Sequence, residues 1–136
     1  MVSVVNLTDT IIGAAFFKKI GKIILEEENQ NKEVSIVLVN SDIIKKLNKQ
    51  YRKKNKATDV LSFEGERDEL GEIVICPVEV EKNARKAESD FKTELAMVFI
   101  HGLLHLLGHD HDKSKKQFDQ MASKQNYYLK KWQHLI

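Results

Sequence analysis

The run "EVSIVLVN", residues 33 to 40, is β-branched and nearly continuous in apolar residues, as expected of a strand buried on both faces. Its neighbours alternate with it in kind. "VSVVNL" at the start of the chain reads as a short strand, and a helix is expected from about Asp9 to Glu28, with Ile12, Ala15, Phe16, Ile20, Ile23 and Ile24 at helical spacing. Ser41 is a plausible N-cap for a second helix over 42 to 54. "TDVLSF", 58 to 63, and "GEIVIC", 71 to 76, read as strands joined by a polar loop, and Pro77 suits the first turn of a third helix. Residues 90 to 107 form the most apolar helix, Gly108 ends it, and Ser114 with Gln117 spells a capping box for a terminal helix.

The order β-α-β-α-β-β-α-α-α predicts an α/β (α+β) fold: a small four-stranded mixed sheet packed with about five helices. The first three strands are expected to run parallel through right-handed crossovers, and the fourth to return antiparallel from the third. No internal repeat or Pro/Gly/Ser linker interrupts the 136 residues, so a single domain over 1–136 is expected. A net charge of +2 says little about partners, which leaves the placement of charges to carry any nucleic-acid argument. Cys76, the one cysteine, permits no internal disulfide and excludes a cysteine-rich zinc module. That points to the cytoplasm. The N-terminus has no basic region ahead of its apolar residues, and no apolar stretch reaches about 18 residues, so no membrane association is expected.

Four of the five histidines fall in "HGLLHLLGHDH", residues 101 to 111. Four residues apart on a helix, His101 and His105 present their imidazoles on one face. Gly108 can take the left-handed conformation that turns the chain back and brings His111 toward the same point. Three neutral imidazoles leave one tetrahedral position for water, the arrangement of a catalytic zinc site; nickel, copper or another divalent ion would also suit three imidazoles. His109 has three possible roles, as a fourth ligand, a proton shuttle or a solvent-facing side chain, and the last two are favoured. Asp110, Asp112 and Glu94 are possible hydrogen-bond partners for a ligand imidazole.

Zinc peptidases with this spacing carry a glutamate directly after the first histidine as general base. Here that position is Gly102. Peptidase activity is therefore the weaker reading. "KKLNKQYRKKNKATDVLSF", from Lys45, holds seven Lys or Arg within residues 45 to 56 and no acid among them, a density that attracts phosphate. Arg52, just before the strand, could project its planar fork into a cleft beside the metal. In RNA the 2'-hydroxyl of the substrate can itself be the nucleophile, so a metal and an arginine could suffice without the glutamate.

"HGLLHLLGHDH", "NKQYRKKNKATDVLSF" and "LGEIVIC" together resemble the YbeY family of bacterial metal-dependent endoribonucleases, over nearly the whole chain. The resemblance implies that His101, His105 and His111 hold the metal, with Zn2+ as the cofactor, and that cleavage depends on Arg52 and His105. It also implies single-stranded rRNA as substrate, with processing of the 3' end of small-subunit rRNA and ribosome quality control. The ribosome or small-subunit assembly proteins would be partners, and DNA would not. The family usually has tyrosine where this chain has His109, and often proline where it has Glu64. The acidic loop "EGERDEL" should repel RNA, so it is expected to point away or to contact a protein partner. A non-catalytic RNA-binding assembly factor with a structural metal is the alternative reading, and a zinc metalloprotease the third.

Other residues invite plainer roles. Cys76 reads as a small buried residue. Phe118, Met121, Leu129 and Trp132 follow helical spacing, so a core stripe is preferred over base stacking by Tyr128 and Trp132. Asp59 either anchors Arg52 or caps the turn.

Overall fold

A computed structural model of the chain describes residues 1–109 and 114–135. The elements in order are β1 (Val2–Asn6), α1 (Ala14–Glu27), β2 (Glu33–Leu38), α2 (Ser41–Arg52), β3 (Val60–Glu64), β4 (Glu69–Ile75), α3 (Pro77–Lys86), α4 (Phe91–Leu106) and α5 (Lys115–His134). The four strands form one mixed sheet, as expected, in the order β1-β2-β4-β3.

That order corrects one expectation. β1, β2 and β4 are the parallel strands, and β3 is the antiparallel edge strand paired to β4. Burial explains the exchange. β4 buries Leu70, Gly71, Ile73, Val74 and Ile75, whereas β3 buries only Leu61. The more apolar strand takes the interior place, where both faces are covered.

The helix boundaries also shift. α1 starts five residues later than Asp9, at Ala14, because Asn6 organises a turn first: its Oδ1 accepts from Thr8 N–H (2.9 Å) and its Nδ2 donates to Thr10 O (2.8 Å). Asn40, not Ser41, caps α2, accepting from Ile43 N–H at 3.0 Å. Ser114 does cap α5 by accepting from Gln117 N–H at 3.1 Å. Only that half of the box is made, since the buried Gln117 Oε1 has no partner among the described residues. Phe118 stands 54% exposed, so the α5 core stripe begins at Met121 and continues through Tyr128, Leu129 and Trp132.

The main core fills one face of the sheet. Phe16 and Phe17 of α1 meet Trp132 of α5 and Phe99 of α4 edge to face, at centroid distances of 5.5 Å and 5.2 Å. A smaller core on the other face gathers Val39, Leu61, Val74 and Cys76 around Ile44 of α2. Cys76 is thus the small buried residue expected. Gly71 lets three strands and α4 converge: its φ is +154°, and a Cβ there would lie 2.3 Å from Phe63 O and 2.9 Å from Leu106 Cδ2. Gly71→Ala is expected to cost about 3 kcal/mol or more of stability, measured by urea unfolding, since the backbone oxygen cannot yield. Among the described residues no helix is long and apolar enough to cross a membrane.

Candidate functional site

α4 lies in the core, and its sequence leaves one opening. From Leu95 to Leu106 every residue is buried except Met97, His101 and His105. Spacings of four and four place those three on a single stripe of the helix. The two imidazoles are therefore the only polar side chains that this part of α4 offers to solvent. His101 Nδ1 lies 2.5 Å from Gln125 Oε1 of α5. An amide oxygen only accepts, so in this contact Nδ1 is the donor, and the bond fixes the orientation of the ring.

Past α4 the chain turns as the sequence predicts. Gly108, at φ +95°, donates its N–H to His105 O (3.1 Å), and His109 N–H reaches back to Leu104 O (3.0 Å). These two bonds make a Schellman reversal. His111, Asp110 and Asp112 lie outside the described residues, and among the described residues no three His, Cys, Asp or Glu side chains group to hold a metal. What is described fits the group in kind: two imidazoles one turn apart, the first oriented by a neighbour.

His109 is not solvent-facing. Its ring is half-buried, with Nε2 2.9 Å from Glu28 Oε1 at the C-terminal end of α1. The same carboxylate accepts from Lys124 Nζ and from Tyr128 OH, both at 2.6 Å on Oε2. Burial raises the Glu28 carboxyl, and the bonds from Lys124, Tyr128 and His109 outweigh it, bringing the pKa down to about 2. Burial and the adjacent carboxylate push the Tyr128 hydroxyl upward. A depressed carboxylate stabilises the fold above its ordinary value of 4.5 and ceases to do so as pH falls toward about 2. Glu28→Gln is therefore expected to flatten the loss of stability over that acid range, measured by urea unfolding at stepped pH.

Arg52 ends α2 and is held at the sheet edge. Its Nη2 donates to Ser62 O (2.8 Å), its Nη1 to Tyr51 O (3.3 Å), and its guanidinium lies 5.1 Å from the Phe63 ring centroid. Ser62 is the link to α4, because its hydroxyl donates to Gly102 O at 3.3 Å, one residue after His101. Gly102 itself faces the sheet. A Cβ there would sit 3.0 Å from Ser62 Oγ and 3.2 Å from Ile73 Cγ2. Asp59 does not anchor Arg52; it accepts from Asn83 Nδ2 (3.2 Å) and Thr58 Oγ1 (3.4 Å).

Glu94 lines a cleft of about 380 Å³ with Asp59, His101 and Gln125, but the ring of His101 is bonded to Gln125 rather than to Glu94. Burial and the Asp59 charge raise the Glu94 pKa. Gln125, Glu28 and Lys124 were not singled out by the sequence. An alternation or a spacing marks a face, whereas these side chains act across 24 to 96 residues of chain, and only the tertiary fold reveals them.

A family model described as "Endoribonuclease YbeY" matches residues 6–133. The Endoribonuclease YbeY of Thermotoga maritima is 44% identical over 107 residues, covering 78% of this chain and 71% of that one. That of Thermosipho melanesiensis is 33% identical over 130 residues, covering 92% and 94%. The solution structure of TM1509 from Thermotoga maritima superposes with a TM-score of 0.71 at 34% identity, over 98% of this chain and 93% of that one. Taken with the motif on α4 and the sheet beneath it, these likenesses show that the chain belongs to the YbeY endoribonuclease family.

Proposed function

We propose that this protein is a metal-dependent endoribonuclease of the cytoplasm that cuts single-stranded rRNA near the 3' end of the small-subunit molecule, in concert with the ribosome or its assembly proteins. The observation that carries the reading is the α4 stripe: from Val98 to Leu106 the helix is sealed in the core except at His101 and His105. His101, His105 and, from the sequence, His111 would hold the metal, with zinc the first choice for three imidazoles. Bound there, the metal would lower the pKa of water to about 7 and polarise a phosphate oxygen.

The protein's own groups do the rest. Gln125 holds His101 in one orientation. Arg52 uses two of its N–H groups on Ser62 O and Tyr51 O, and a guanidinium has five in all. The others suit the charge that builds on the phosphoryl oxygens during cleavage. An open groove of about 890 Å³, in which Lys115, Lys116 and Lys124 outnumber Asp119, gives a single strand a mostly basic path beside His109.

The test is scission of a single-stranded RNA covering the 3' end of small-subunit rRNA by nuclease-free protein, with chelator and with zinc restored. Cleavage that disappears with chelator and returns with zinc is expected. RNA binding without scission under any metal would replace this reading with that of a non-catalytic assembly factor. Arg52→Ala is expected to slow cleavage by about a hundredfold while zinc stays bound; undiminished cleavage would remove Arg52 from the mechanism.

A further inference from the structure

The residue before Arg52 is an aromatic that neither core uses. Tyr51 is 53% exposed and belongs to neither apolar cluster. Its ring meets Phe63 of β3 at a steep angle, with centroids 5.2 Å apart and planes at 70°. An edge-to-face contact engages at most one face of a ring, so a face of Tyr51 stays open to solvent. Phe63 itself is half-buried against the smaller core and carries the Arg52 guanidinium 5.1 Å from its centroid. Tyr51 and Arg52 therefore rest on one phenyl ring, which sets an open aromatic face beside a guanidinium.

The surrounding charges suit a polyanion. Lys49, Lys53, Lys54 and Lys56 are all exposed, and among the described residues none of them enters an ion pair. The turn that carries the last three is built by hydrogen bonds. Lys53 takes the left-handed conformation at φ 59°, Lys54 N–H donates to Asn48 O (3.2 Å), and Nδ2 of the buried Asn48 donates to Lys56 O (2.9 Å). Glu72, opposite Phe63 in the sheet register, is exposed beside this ring. A phosphate is thus favoured at the lysines and disfavoured close to Phe63, and an uncharged base is the part of a nucleotide that fits there.

We propose that Tyr51 is a base-stacking residue: one nucleobase of a single-stranded RNA lies on its open face while flanking phosphates meet Arg52 and the lysines of the turn. The inference rests on the RNA reading above and deepens it. A paired base is already stacked within its helix, whereas an unpaired one can be splayed onto a protein ring. Tyr51 therefore makes the site select unpaired strand, without regard to which base it takes.

The test is equilibrium binding of single-stranded RNAs that carry 2-aminopurine at successive positions, in excess chelator and then with zinc restored. The parent should bind and quench the fluorescence at one position of the strand. Tyr51→Ala and Tyr51→Leu should each bind about tenfold more weakly, without that quenching, and Tyr51→Phe should recover most of both. Neither loss removes a charge, so the slope of log affinity against log salt should stay as in the parent. Thermal melting of the three variants near that of the parent is expected, because Tyr51 supports neither core. Parental affinity and quenching in Tyr51→Ala would overturn the proposal, as would retention in Tyr51→Leu or an equal loss in Tyr51→Phe. A parent protein that binds no RNA with or without zinc would overturn the RNA reading and this inference with it.

Discussion

Replacing His105 with alanine is expected to abolish zinc binding and RNA scission together, with cleavage down by about a thousandfold or more. His105 is one of three unburied residues between Leu95 and Leu106, and alanine favours the helix, so the fold has little reason to change. The metal-free variant should melt within a few degrees of the metal-free parent. Measuring zinc content and scission on the same preparation separates the outcomes. Loss of both with an intact fold supports a catalytic metal. Loss of zinc with full scission would mean that the metal serves the structure and that the nuclease chemistry lies elsewhere.

The second large effect is predicted at Gly102. Gly102→Glu restores, in sequence, the residue that zinc peptidases use as base, but the position faces β3 and β4 rather than the open stripe. A Cβ there already meets Ser62 Oγ at 3.0 Å and Ile73 Cγ2 at 3.2 Å, and four further heavy atoms with a charge would have to enter the main core. Overpacking and an uncompensated buried carboxylate together should cost about 4 kcal/mol or more. Urea unfolding measures this, with Gly102→Ala as the milder comparison at about 1 kcal/mol. A Gly102→Glu protein of parental stability that gained peptide hydrolysis would overturn both the geometry and the dismissal of the peptidase reading.

The strands and helices were legible because their apolar residues repeat at the period of the element that carries them. What the sequence left ambiguous was how they meet. The short acidic connection from Glu64 to Glu69 made the β3–β4 hairpin antiparallel, but nothing local says which of its two strands adjoins β2. The richer burial of β4 was the available signal, and it lies in composition rather than order. At the site, the i,i+4 histidines and the terminating Gly108 are local features, so α4 could be read as presenting both rings on one stripe. The partners of those rings could not. Glu94 was the carboxylate at helical spacing from His101, and the fold instead brings Gln125 to its Nδ1. His109 looked like a loop residue, and the fold buries half of it against Glu28. Arg52 was legible as the arginine beside a strand, whereas its actual anchor, a backbone carbonyl of the strand's outer edge, carries no side-chain signature at all.

The two faces of the sheet differ in how firmly they are closed. The smaller core draws its helical contribution, among the described residues, from Ile44 and Leu47 of α2, while α1, α4 and α5 share the larger one. Sub-global opening follows the weakest such unit, so α2 should detach well before the rest of the molecule gives way. Arg52 rides on that loosely held unit, and His101 and His105 ride on the one that opens last. A warmed molecule would accordingly free Arg52 first, with His101 and His105 still in place, and would recover by redocking one helix rather than by refolding.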